Sequence, residues 1–148
     1  MTSPCVQGII LPMPAKSTIF LNRPVTAIPE FIAESASRWH NLPALWRPLD
    51  ARFEPVTYAA LMNTVALLSS RLVEHGARPG ERVAIRHNDR FTFGVTYLAT
   101  LWSGATAVPL DPMLTPMEIG GILSDSESAL YVTDTPSSHV PDPKIKTR

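Results

Sequence analysis

Four histidines, one cysteine and two closely spaced acidic residues are the side chains of this 148-residue chain whose types could do chemistry. His40, His75, His87 and His139 could each ligate a metal or move a proton near neutral pH. No two of them fall within the short spacing of a metal-binding pair. His75 stands where a helical pattern ends, a position that favours a cation-capable side chain against the last carbonyls. Asp125 and Glu127 fall in a predicted turn, where an aspartate stabilises the turn rather than working as one of an acid/base pair. No serine sits in the Gly-x-Ser-x-Gly setting that would sharpen it as a nucleophile. No Gly-x-Gly-x-x-Gly follows a predicted strand, which argues against a small complete nucleotide-binding enzyme. On these grounds no catalytic, cofactor-binding or metal-binding residue is assigned.

Composition narrows the class further. Hydrophobic residues make up 45% of the chain and charged residues 18%, the profile of one ordinary globular domain. Lys plus Arg equals Asp plus Glu at 13 each, so no basic excess is available to neutralise a nucleic-acid backbone. Cys5 is the only cysteine, which excludes an intrachain disulfide and fits a reducing, cytoplasmic compartment. Residues Val6 to Ala15 are apolar, but no Lys or Arg precedes them, and Pro12 and Pro14 interrupt the run. A flexible leader is expected there, and no window is long enough for a membrane helix.

The elements that would position any site follow from periodicity. Residues 1–25, with Pro4, Pro12, Pro14 and Pro24, are expected to form an irregular arm. Phe31, Ile32, Ser35 and Trp39 then share one helical face, opened by Pro29 and closed by Asn41 to Pro43. Ala44 to Trp46 and Pro55 to Thr57 read as two short strands joined by a polar loop containing Pro48, Asp50 and Arg52. From Tyr58 to Glu74, Leu61, Val65, Leu68 and Leu72 recur at helical spacing, with Thr57 as N-cap and Gly76 as the stop. Burying those four side chains would contribute about 6 to 12 kcal/mol, so that face must pack on something.

Val83 to Ile85 is a short apolar run of the kind a buried parallel strand shows. Phe91, Val95, Leu98 and Trp102 predict a helix from Arg90 to Trp102 that stops at Gly104, and a strand follows over Thr106 to Pro109. Thr115-Pro116-Met117-Glu118 carries a capping box with proline at the first helical position. The helix it opens has Ile119, Ile122 and Leu123 on its apolar face. Gly120 and Gly121 each cost it about 1 kcal/mol relative to Ala, so packing has to hold it. Asp125 and Ser126 turn the chain into a last strand, Ala129 to Thr133, and residues 135–148 form a polar tail.

Alternating strands and helices predict an α/β fold, a Rossmann-like parallel sheet with right-handed crossover helices. With the strands in sequence order, both crossover helices would cover one sheet face. The other face would be left to the Tyr58 to Glu74 helix, or open to the remainder of a larger protein or a second copy.

Three stretches carry a family resemblance. Thr57-Tyr58-Ala59-Ala60-Leu61 looks like a Thr-Tyr-x-Glu-Leu motif with Ala60 in place of Glu. Gly76-Ala77-Arg78-Pro79-Gly80-Glu81-Arg82-Val83-Ala84 looks like Gly-x-x-x-Gly-Asp-x-Val-Ala. Leu101-Trp102-Ser103-Gly104-Ala105-Thr106-Ala107-Val108-Pro109-Leu110-Asp111-Pro112 looks like Leu-x-Ala-Gly-x-x-x-Val-Pro-Leu-Asn/Asp-Pro, with Ser103 in place of Ala. In this order, over residues 26–134, they resemble the N-terminal part of the adenylate-forming (AMP-binding) superfamily. That superfamily includes acyl-CoA and aryl-CoA synthetases, luciferases and the adenylation domains of nonribosomal peptide synthetases.

The resemblance implies a ligase that activates a carboxylic acid through an acyl-adenylate, with ATP, Mg and CoA as the cofactors of a full-length parent. The family's phosphate loop, a Ser/Thr/Gly-rich segment ending in Pro-Lys-Gly, has no counterpart here. The tail Thr135-Pro136-Ser137-Ser138-His139 and Pro143-Lys144 imitates its composition, but no glycine follows Gly121. The expectation is therefore an N-terminal portion that is inactive alone. The alternative is a stand-alone interaction module that associates with a full-length ligase.

Overall fold

Helix α1 (Ile28–Arg38) buries Ser35 and Ala36 and carries proline in its first turn, as its sequence predicts. The computed structural model describes residues 27–50 and 52–134. The arm, Cys5, the apolar run at 6–15 and the tail with His139 and Lys144 lie outside them.

Strands β1 (Pro43–Leu49) and β2 (Arg52–Thr57) pair antiparallel and form a two-stranded sheet. They are longer than their sequences suggest. Pro48 and Arg52 belong to the strands and not to the connecting loop, because Leu49 pairs with Arg52 across a two-residue turn. Asp50 enters that turn at φ 50°, a left-handed conformation that Asp tolerates. The prolines fit because each strand of an isolated pair has a side that needs no donor.

Helix α2 (Tyr58–Glu74) begins where Thr57 accepts a hydrogen bond from the Ala60 amide at 3.2 Å. It ends at His75 before Gly76, whose φ of +107° closes the last turn. Strand β3 (Arg82–Arg86) is followed by helix α3 (Arg90–Trp102), strand β4 (Thr106–Pro109), helix α4 (Pro116–Asp125) and strand β5 (Leu130–Thr133). The capping box of α4 is complete: Thr115 accepts from the Glu118 amide while the Glu118 carboxylate accepts from the Thr115 amide at 2.8 Å.

The buried helix faces differ in detail from the periodic pattern. On α2 the small Ser69 is buried with Leu61, Val65 and Leu72, and Leu68 is only half-buried. On α3 the buried set is Val95, Thr96, Ala99 and Thr100, while Phe91 and Leu98 are half-buried and Trp102 is exposed. The two helices pack side by side on the sheet. Close approach favours small side chains at the contact and moves bulkier ones to its margin.

The three parallel strands lie in the order β4-β3-β5 and not in sequence order. Two right-handed crossovers that leave in opposite directions must place their helices on opposite faces. Side chains alternate accordingly. Val83, Ile85, Leu130 and Val132 face a core shared with α2 and α3. Ala84, Val108 and Tyr131 face a second core built on Leu110, Ile119 and Leu123. The expectation that both crossover helices share one face is thus corrected: α4 covers the face that sequence order would have left open. Among the described residues β4 and β5 each pair on one side only. No helix among them is long and apolar enough to cross a membrane.

Candidate functional site

Open α/β sheets bind ligands outside the carboxyl ends of their strands, where neighbouring connections depart to opposite faces. Here that place lies between the ends of β3 and β4, because α3 and α4 leave to opposite sides. Arg86 spans it, donating from Nη2 to the Pro112 carbonyl, and the Leu110 amide donates to the Ile85 carbonyl at 2.9 Å. The crevice is bridged by the chain's own groups.

Beside it, His87-Asn88-Asp89 follows β3 directly. His87 is only 7% exposed. Its Nε2 shares a 3.3 Å hydrogen bond with Thr96 Oγ1 on α3, and its Nδ1 is buried without a hydrogen-bond partner among the described residues. Burial disfavours the imidazolium and lowers the pKa, an effect that the nearby Asp134 and Asp89 carboxylates partly offset. Asn88 grips Asp134 at the end of β5 through its backbone amide at 2.8 Å and its Nδ2 at 3.1 Å. The Asn88 backbone hydrogen bond first, and then the nearby His87, hold the Asp134 carboxyl below the ordinary carboxylate value.

Asp89 caps α3. Its carboxylate accepts from the Thr92 hydroxyl and, at 2.7 Å, from the Thr92 amide, which lowers its pKa. At α4 the N-cap is Thr115, and the Glu118 carboxylate reaches back to it, its pKa lowered by the Thr115 hydroxyl and amide. Helix N-termini are ready-made anion sites. At the carboxyl edge of this sheet both are already engaged by the chain's own groups, the Asp89 carboxylate at α3 and the Thr115 hydroxyl at α4.

The remaining sequence candidates are dispersed. His40 is beyond the end of α1, with Nδ1 2.9 Å from Asn41 Oδ1. His75 caps the carbonyl end of α2, its Nδ1 2.8 Å from the Arg71 oxygen, in the role its position predicts. Asp125 is the last residue of α4, and Glu127 occupies a left-handed turn at φ 47°. No group of three or more His, Cys, Asp or Glu among the described residues could hold a metal ion. Of the histidines among the described residues, only His87 is drawn into a cluster. Sequence reasoning missed its partners Asn88, Asp89, Thr96 and Asp134. Asp89 could have been found as an N-cap ahead of a periodic helix. Nothing local announces Asp134, which lies 46 positions from Asn88.

Comparison with known proteins agrees with this geometry. The family model described as "AMP-binding enzyme" matches residues 32–147. The nonribosomal peptide synthetase ivoA of Emericella nidulans is 37% identical over 87 residues, which cover 59% of this chain and 5% of that protein. An oxalate–CoA ligase of Arabidopsis thaliana is 37% identical over 79 residues, 53% of this chain and 15% of that protein. The N-terminal subdomain of Klebsiella oxytoca NpsA superposes with a TM-score of 0.68 at 26% identity, over 78% of this chain and 28% of that one. The same protein solved with 3-hydroxyanthranilyl-AMSN gives 0.69 at 25% identity, over 80% and 23%.

Fold and site thus define the N-terminal segment of an adenylate-forming enzyme, a parallel sheet with helices on both faces. The chain belongs to the AMP-binding enzyme family, and spans only a small part of the length of the relatives it matches.

Proposed function

We propose that this chain is the opening portion of an ATP-dependent ligase that activates a carboxylic acid as an acyl-adenylate in the cytoplasm, and that the 148-residue chain alone does not turn over. The observation that carries the second half is that the α3 N-terminus is held by the Asp89 carboxylate and the α4 N-terminus by the Thr115–Glu118 capping box. A triphosphate would have to displace the Asp89 carboxylate from α3 or the Thr115 hydroxyl from α4, losing a cap and meeting a nearby carboxylate in either place. The nucleotide, its Mg and CoA would then depend on groups beyond the described residues. The test is pyrophosphate release and Mg-dependent ATP binding by the purified chain, offered a panel of aliphatic, aromatic and amino acids. No release and no saturable binding are expected, and measurable turnover would sink the proposal.

A second reading, an interaction module that docks on a full-length ligase or on its own copy, has one observation in its favour. Trp46, Pro48, Phe53 and Pro55 alternate onto one face of the β1–β2 hairpin, and all four are exposed. Apolar patches of this kind are common at protein contacts. Sedimentation velocity separates the readings: a clean monomer at tens of micromolar, unchanged by Trp46→Ser, removes the support for self-association.

A further inference from the structure

A cleft of about 420 Å³ opens between α2 and α3, within the size range of small-molecule sites. Its apolar walls are Leu67 and Leu68 on one side and Phe91 and Val95 on the other. Leu67 is 67% exposed. Three threonines also line the cleft, yet their hydroxyls are engaged within the chain. Thr64 donates to the Ala60 carbonyl at 2.9 Å, Thr92 donates to Asp89, and Thr96 is bonded to His87. They therefore present mainly methyl groups.

Arg71 is the one charged side chain of the lining. A guanidinium has five N–H donors in a planar fork, and this one is mostly exposed, with Nη1 3.1 Å from Glu74. From Thr64 to Arg71 the α2 wall is two helical turns, roughly 10 Å.

From this combination we infer that the cleft binds a small amphipathic anion, a monocarboxylate whose apolar body lies between α2 and α3 and whose acid group pairs with Arg71. The wall length suits a body of roughly eight carbons. The ligand is bound and not transformed, since the cleft presents no nucleophile or free acid/base group. The inference stands independently of the acid-activation reading, because these side chains line a helix–helix cleft and not the crevice between β3 and β4.

The test is a titration of the ¹⁵N-labelled 148-residue chain with octanoate, below its micelle concentration, reading the amide shifts of Leu67, Leu68 and Val95. Octanol, which lacks the acid, and acetate, which lacks the body, serve as controls. Saturable octanoate shifts that exceed those with either control are expected. Arg71→Gln should weaken octanoate binding by up to about five-fold, the scale of an exposed ion pair, and Arg71→Lys should lose less. Glu74→Gln, which removes the competing carboxylate, should tighten it. Absent saturation, equal binding of octanol, or an unchanged affinity in Arg71→Gln would each overturn the assignment. Both substituted residues are exposed, and the unshifted remainder of the spectrum reports that each variant is folded.

Discussion

At the scale of single residues, the polar groups with the largest structural consequence are those that close the carboxyl edge of the sheet. Asp89 satisfies the first amides of α3, so Asp89→Ala should lower stability by about 1 to 2 kcal/mol, read from the urea midpoint. The pH dependence follows from the direction of each shift. His87 has a lowered pKa in the folded chain, so the unfolded chain takes up the proton first and acid favours unfolding. Stability is full above the ordinary imidazole value of about 6.5 and is lost as pH falls through the lowered folded value. Replacing His87 by Asn should flatten the slope of stability just below about pH 6.5. A separate loss, from Asp89, Asp134 and Glu118, begins below about pH 4, because each of those carboxyls is also lowered by folding. It should persist in the His87 variant, and urea titrations at a series of pH values check both windows.

Elements depend on where each helix face meets its neighbour. Leu61 is 2% exposed in the core shared by α2, α3 and the sheet, so Leu61→Ala should cost about 2 to 5 kcal/mol. Leu67→Ala, on the exposed side of the same helix, should stay within about 0.5 kcal/mol. Thermal unfolding of the two variants side by side tests this assignment of faces. Gly104 ends α3 at φ +82°, and a Cβ there would stand 3.0 Å from Pro79 Cγ. Gly104→Ala combines left-handed strain with that contact and should lower stability by about 1 to 2 kcal/mol. By contrast, a Cβ at Gly121 meets nothing within 4 Å. Gly121→Ala should raise stability by up to about 1 kcal/mol, since it lifts the helix propensity of α4 without crowding.

Across the whole molecule, β3 is the strand paired on both sides and covered on both faces, whereas the β1–β2 hairpin stands as a separate pair with much of its surface in water. Amides of Val83 to Ile85 should therefore exchange with solvent most slowly, and those of the hairpin orders of magnitude faster. Hydrogen-exchange mass spectrometry resolves these segments. Equal protection in both would mean that the hairpin is held by contacts beyond its own ladder. The 13 cations and 13 anions of the chain leave no net charge, so association through the apolar hairpin face should respond weakly to salt and strongly to loss of Trp46 or Phe53.

The local elements were legible from the sequence because their signals are local. The limits of α2 at Tyr58 and Glu74, of α3 at Arg90 and Trp102, and the Thr115–Glu118 box follow from spacing, capping and chain-reversing glycines within a few residues. The ordered motifs from Thr57 to Pro112 likewise pointed to the family that the comparisons establish. Strand order was decided only by tertiary structure, since Val83 and Ile85 read as equally apolar whichever neighbour they pair with. The placement of β5 beyond β3 sends α4 to the opposite face. The Asn88–Asp134 bond depends on that placement. So does the burial of Ala84 against α4, while the choice of Ser69 over Leu68 depends on how closely α2 and α3 pack. Contacts between distant positions arise from packing, in which no short segment of the chain carries the information alone.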